Sequence, residues 1–88
     1  MTEKYLPIGT VVMLQNGRKE LMITGYLVSE EGKESVVYDY SGCLYPEGII
    51  SSNQNAVFNH SQIKEVIFTG FAGDQFKAFL EKLKMLDK

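Results

Sequence analysis

The sequence is poor in the residues that usually announce a chemistry. Its single cysteine can close no internal disulfide and build no thiolate metal cage, so nothing asks for an oxidising compartment. One histidine leaves a general base or metal ligand without a second imidazole to work with. Nine Lys and Arg against eleven Asp and Glu give a net charge of -2, with the basic residues scattered. A nucleic-acid binder draws most of its affinity from a basic stripe that neutralises phosphates, and none is present. The glycines show no phosphate-loop spacing and no following Lys-Ser/Thr pair, which excludes a nucleotide cradle. No apolar run approaches the ~20 residues that a membrane-spanning helix needs, so no membrane insertion is expected. Thr2, Glu3 and Lys4 ahead of a very short apolar run do not read as a signal peptide, and the expected location is cytoplasmic.

What is present is ordinary globular material. With 88 residues and 44% hydrophobic content, one domain spanning 1–88 is expected. A chain of this size buries only roughly 60–65% of its unfolded surface, so its stability margin is thin.

Taken in order, the chain reads as short strands closed by a helix. Val11 to Leu14 is a β-branched apolar run inside a strand of about 9–15. Asn16-Gly17 is a hairpin signal, since both residues tolerate the positive φ of a type I′ turn. The return strand, about 20–28, places Leu21, Ile23 and Leu27 on one face and Met22, Tyr26 and Val28 on the other. Both faces are apolar, so both should be covered. Ser29 to Ser35 is a charged loop. A third strand, about 36–40, carries Val36, Tyr38 and Tyr40 on one face. Ser41-Gly42 then turns the chain so that 43–45 can pair back, and Pro46 fits a type I turn ending at Gly48.

The second half follows the same logic. Ser51 to Asn55 is a polar loop. Asn59 and Gln62 have capping-box spacing, with room for a single helical turn before Ile63. The last strand, about 63–69, should turn Val66 and Phe68 inward and Ile67 to the reverse. Asp74 suits an N-cap, and Phe76, Phe79, Leu80, Leu83 and Leu86 form one stripe on a helix of about 74–87. Lys82, Lys84 and Lys88 sit where they complement its dipole. The expected fold class is mainly β with a C-terminal helix (α+β). A small SH3-like antiparallel barrel of four to five strands plus that helix is the first expectation, and an open antiparallel sheet with the helix on one face is the alternative.

Candidate chemistry is thin. His60 reads as a loop residue bonding locally, and Cys43 as a small buried apolar residue rather than a nucleophile. Asp39 and Glu47 are the acids of the tyrosine-rich stretch; Asp39 reads as an acceptor of backbone or Tyr hydroxyl hydrogen bonds, not half of a catalytic pair. Tyr38, Tyr40, Tyr45 and Phe58 fit three roles: core filling, protein contact or base stacking. No catalytic residue, cofactor or metal is expected. The protein-binding candidates are Tyr38, Tyr40, Tyr45 and Ile50 as surface or half-buried contacts, and Phe76, Phe79, Leu80 and Leu83 as core or interface.

Four stretches together carry a family resemblance. They are Tyr5-Leu6-Pro7-Ile8-Gly9-Thr10-Val11-Val12, Leu21-Met22-Ile23-Thr24-Gly25, Tyr38-Asp39-Tyr40-Ser41-Gly42-Cys43-Leu44-Tyr45-Pro46-Glu47-Gly48, and Phe58-Asn59-His60 before Ile63. From Tyr5 to about Phe71 the chain resembles a small uncharacterised-domain family of Gram-positive bacteria encoded in type VII secretion loci, beside toxins with an N-terminal LXG domain. Cys43 stands where an ordinary aliphatic residue would be expected. The resemblance implies a non-enzymatic targeting factor or export chaperone that binds an LXG toxin in the cytoplasm, with the toxin's secretion accessory proteins as the other possible protein partner. It supplies no catalytic residues to carry over. An immunity protein, presenting acids such as Glu30, Glu31 and Glu34, is the alternative. An RNA-binding small barrel is a more distant one, and self-association into a homo-oligomer is open.

Overall fold

The organising element is an eight-residue strand, β2 (Leu21–Val28), flanked on both sides by antiparallel neighbours. In a computed structural model, which describes residues 4–30, 32, 34–51 and 55–86, the remaining strands are β1 (Val11–Leu14), β3 (Tyr38–Leu44), β4 (Ala56–Phe58) and β5 (Ile63–Phe68). A single helix, α1 (Asp74–Leu86), follows. The five strands form one sheet in the order β4-β3-β2-β1-β5. Its two ends are not paired to each other, so the sheet is open and the barrel expectation gives way to the alternative. The physical reason is what covers the inner face. Leu80 and Leu83 of α1, with Tyr5 from the N-terminal segment, bury themselves against Val12, Leu21, Ile23, Tyr40 and Phe58. A sheet capped in this way need not curl to hide its inner face.

A tight turn forms at Asn16-Gly17, but it is not the two-residue type I′ hairpin: β1 and β2 pair only through Val11↔Met22 and Val12↔Leu21, so the turn lies inside a longer connection. Gly17 N–H donates to Leu14 C=O at 2.9 Å, and of this pair only Asn16 takes a positive φ, 64°. A type I′ turn needs two such residues; one at the third position is the type II pattern.

The largest departure lies in β3. Ser41 and Gly42 do not turn the chain; they sit mid-strand, with Ile23 opposite Gly42 and Gly25 opposite Ser41. Gly42 is there for space. A Cβ on it would lie 3.0 Å from both the Met22 carbonyl oxygen and the Phe58 ring. Cys43 and Leu44 therefore end β3 instead of forming a new strand, and Tyr45 opens the following turn. That turn closes from Gly48 N–H to Leu44 C=O at 2.7 Å, one residue wider than a type I turn. Val36 and Val37 precede the strand.

A bulge corrects the face assignment of β2. Ile23 and Gly25 pair with the adjacent residues Gly42 and Ser41, leaving Thr24 as the extra residue. Beyond it Tyr26 pairs with Tyr40 and packs on the core side, not on the Met22 face. β4, not foreseen as a strand, pairs with β3 through Tyr40↔Phe58 and Gly42↔Ala56.

The expected helical turn before Ile63 is a 3₁₀ turn, His60–Gln62, with its capping box present. Gln62 Oε1 accepts Asn59 N–H at 2.8 Å, and Asn59 Oδ1 also receives Asp39 N–H at 3.0 Å.

β5 lies at the free edge. Val66 and Phe68 are exposed along with Ile67, so the inward assignment fails. Two register shifts against β1 disturb the alternation that would have turned them in. At the helix start, Lys77 N–H donates to Gly73 C=O, so Gly73 holds the cap position and Asp74 lies in the first turn, where its charge suits the dipole. Of the foreseen stripe, Leu80 and Leu83 are buried, Phe76 is partly buried, and Phe79 and Leu86 are exposed. Glu31, Ser52, Asn53, Gln54 and Lys88, named in the loop and helix expectations, lie outside the described residues.

Candidate functional site

Two features stand apart from simple core packing: a tyrosine–histidine cluster that straps down the N-terminal segment, and an apolar surface that the fold leaves uncovered.

The cluster centres on Tyr40, which is 0% exposed. Its hydroxyl donates to the Lys4 carbonyl, accepts Leu6 N–H at 3.1 Å and lies 2.8 Å from His60 Nδ1. One hydroxyl carries one proton. With that proton given to Lys4, the histidine must carry its own on Nδ1 and donate to Tyr40 Oη. Tyr26 O–H donates to Leu6 C=O at 2.6 Å, and burial pushes the Tyr26 phenol up to about 12. Tyr5, Tyr26 and Tyr40 meet edge-on or tilted, with centroids 5.9–6.2 Å apart. Asp39 completes the strap. Its Oδ2 accepts His60 N–H at 2.9 Å and its Oδ1 meets Lys4 Nζ at 3.2 Å. Burial first, then the Lys4 charge, hold the His60 imidazole below its usual range, while Asp39 pulls the other way. The Tyr26 and Tyr40 hydroxyls, His60 Nδ1 and the Asp39 carboxylate are spent on holding the chain together. Among the described residues no group of three or more His, Cys, Asp and Glu side chains is placed to hold a metal ion.

The apolar surface has two parts. On the reverse face of the sheet an open groove of about 370 Å³ is lined by Gly9, Val11, Met22, Tyr45, Ile67 and Phe68. Val11 and Cys43 on this face are buried and Met22 is half-buried, so the face is covered only in part. A second groove of about 300 Å³ lies between the helix and the segment leading into it, lined by Ile8, Tyr26, Phe71, Gly73, Gln75, Phe76 and Phe79. Between the two lining sets, Gly70 closes against the segment that leads into β1. Gly70 N–H donates to Thr10 Oγ1 at 3.0 Å, and a Cβ on Gly70 would sit 2.3 Å from the Ile8 carbonyl oxygen. Ile8 of one groove is next in sequence to Gly9 of the other, and Phe71 follows Phe68 by three residues. Phe68 is 62% exposed and Phe71 is 88% exposed.

The sequence-derived candidates divide between core and surface. Tyr40, Leu80 and Leu83 are buried core residues and cannot meet a partner without unfolding. Tyr40 and Phe58 are equally unable to stack bases. Tyr38 is half-buried beside the strap, and Phe76 packs partly against the core. Tyr45, Ile50 and Phe79 are exposed, and Tyr45 and Phe79 each line one of the grooves. Phe68 and Phe71 were missed as candidates. Phe71, an aromatic between Gly70 and Gly73 and outside any strand or helix, was legible as a residue with no element to hide it. Phe68 was not, because alternation along β5 placed it inside. No helix is long and apolar enough to cross a membrane among the described residues.

No curated protein and no solved structure was found to match the chain. A family model does match, over residues 5–79, which takes in all five strands and the first half of the helix. The chain belongs to the family described as Domain of unknown function (DUF4176).

Proposed function

We propose that this protein is a non-enzymatic adaptor that binds an LXG-type toxin and assists its targeting to the type VII secretion system of a Gram-positive bacterium. The observation that carries the binding role is the apolar surface left open in the two grooves, with Tyr45, Ile67 and Phe68 exposed in one and Ile8, Phe71 and Phe79 exposed in the other. Large apolar surface left open on so small a domain marks a site for another macromolecule. Exposed aromatics such as Phe71 are the residue type that anchors protein interfaces. The toxin as partner follows from the family resemblance of the four sequence stretches. The binding takes place in the cytoplasm, before export.

The test is co-expression with a toxin encoded in the same locus, divided into its export-directing N-terminal part and its toxic C-terminal domain. The adaptor reading expects co-purification with the N-terminal part. Tight binding to the toxic domain instead would replace it with an immunity role, for which the exposed Glu30 and Glu34 would offer acidic contacts.

A further inference from the structure

We infer that the partner adds an extended strand to the free edge of β5, so that the toxin is held by sheet augmentation with the reverse-face groove receiving its side chains. This rests on the adaptor reading above. β5 ends the sheet: its inner edge pairs with β1, and among the described residues no strand pairs with its outer edge. Backbone N–H and C=O groups along such an edge are matched in full only by another extended chain. The edge is also unevenly guarded. Charges that discourage strand pairing, Lys64 and Glu65, sit in its first half. Val66, Ile67 and Phe68 in its second half are all exposed and carry no charge, Pro or Gly. The opposite edge offers less, since β4 is only three residues long and runs directly into the 3₁₀ turn. Beside the open half of β5, Ile67 and Phe68 form one wall of the groove that continues to Met22 and Tyr45. Side chains of an added strand that point to the reverse face would enter there, because successive residues alternate between faces.

The charge pattern argues against a second copy of this chain as the occupant. In a two-fold antiparallel pair the residue on the axis faces its own copy. An axis at Lys64 or Glu65 sets like charges together, and an axis at Val66 sets those charges against Phe68 and Ile67. An axis at Ile67 avoids both but leaves only Val66 to Phe68 paired, since the strand ends at Phe68 and Gly70 is bonded inward to Thr10. A different chain, apolar opposite Val66 to Phe68 and acidic opposite Lys64, has none of these conflicts.

The experiment is amide hydrogen exchange on the full chain, free and bound to the N-terminal part of the toxin, with binding measured for wild type and Ile67→Pro. The expected result is slowing by about tenfold or more at β5 amides on binding, and loss of binding by Ile67→Pro while its circular dichroism stays native. Should Ile67→Pro fail to fold, Ile67→Lys and the wild-type exchange map decide. Toxin binding with β5 exchange unchanged overturns augmentation and leaves the adaptor reading standing. Protection of β5 that rises with protein concentration in the absence of toxin assigns the edge to a second copy and also overturns it. Absence of any toxin binding overturns both.

Discussion

The Tyr40 hydroxyl and His60 Nδ1 lie 2.8 Å apart, joining the middle of β3 to the turn between β4 and β5. Because the same hydroxyl also bonds Lys4 and Leu6, it is the node of the strap that holds the N-terminal segment carrying Tyr5 into the core. Tyr40→Phe keeps the ring and deletes that node. The Leu6 N–H and His60 Nδ1–H lose their acceptor, and a buried donor left without one costs about 1–3 kcal/mol. Urea unfolding of Tyr40→Phe should fall by that amount with an unchanged m-value.

The pH dependence follows from the imidazole. The folded pKa of His60 is depressed, so the unfolded chain binds the proton more readily. Its contribution is fully present above the unfolded pKa, about 6.5, and is lost as pH falls toward the lower folded value. Glu34 and Glu47 are also depressed, Glu34 first by the Gly32 N–H and Glu47 first by its own backbone amide with help from Lys19. Their contributions fall away only in the more acidic carboxylate range. A stability–pH curve should therefore begin to drop below about pH 6.5, and His60→Gln should flatten that first segment alone.

The helix divides into a structural and an exposed side. Leu83 is nearly fully buried, and Leu83→Ala should cost about 2–5 kcal/mol in chemical denaturation. Phe79 is 43% exposed and touches the core through Tyr26, with ring centroids 5.9 Å apart. Phe79→Ala, at a site 43% exposed, should cost less than Leu83→Ala, about 0.5–3 kcal/mol, and should weaken partner binding more than it weakens the fold.

Gly70 should be intolerant of any side chain. An added Cβ meets the Ile8 carbonyl oxygen at 2.3 Å and Thr10 N at 3.0 Å, both backbone atoms. Gly70→Ala should destabilise by about 1–3 kcal/mol and disturb the Thr10 region in a heteronuclear NMR spectrum.

Periodicity made some of this fold readable in advance. Leu80 and Leu83 one turn apart foretold the buried helix stripe, and Asn59 with Gln62 foretold the capped turn. The class, strands followed by a C-terminal helix, came from the same signals. Other features depend on neighbours distant in sequence. Gly42 looks like a turn residue, yet it is a glycine because the Phe58 ring packs against it from β4. The Thr24 bulge, which moves Tyr26 to the core side, is marked locally only by Gly25, and a glycine inside a strand fits a close approach as well as a bulge. Whether β5 is an edge or a centre is decided by strand order, so Phe68 read as buried. The surface candidates suffered in the same way. Tyr45 and Ile50 are exposed as expected, but Tyr40 lies at the heart of the strap, while Phe71, between Gly70 and Gly73, is the most exposed large apolar side chain among the described residues.

The central claim is that a second protein covers the apolar surface around Phe68 and Phe71. Its most direct test is calorimetric titration of the toxin's N-terminal part into wild type and into the double variant Phe68→Ser/Phe71→Ser. Both side chains are exposed, so the variant's unfolding free energy should stay within about 0.5 kcal/mol of wild type per site. The account predicts that wild type binds and that the double variant binds at least about thirtyfold more weakly, as expected when interface anchors are removed. Equal affinity of the two proteins, or no heat of binding from wild type, would contradict it.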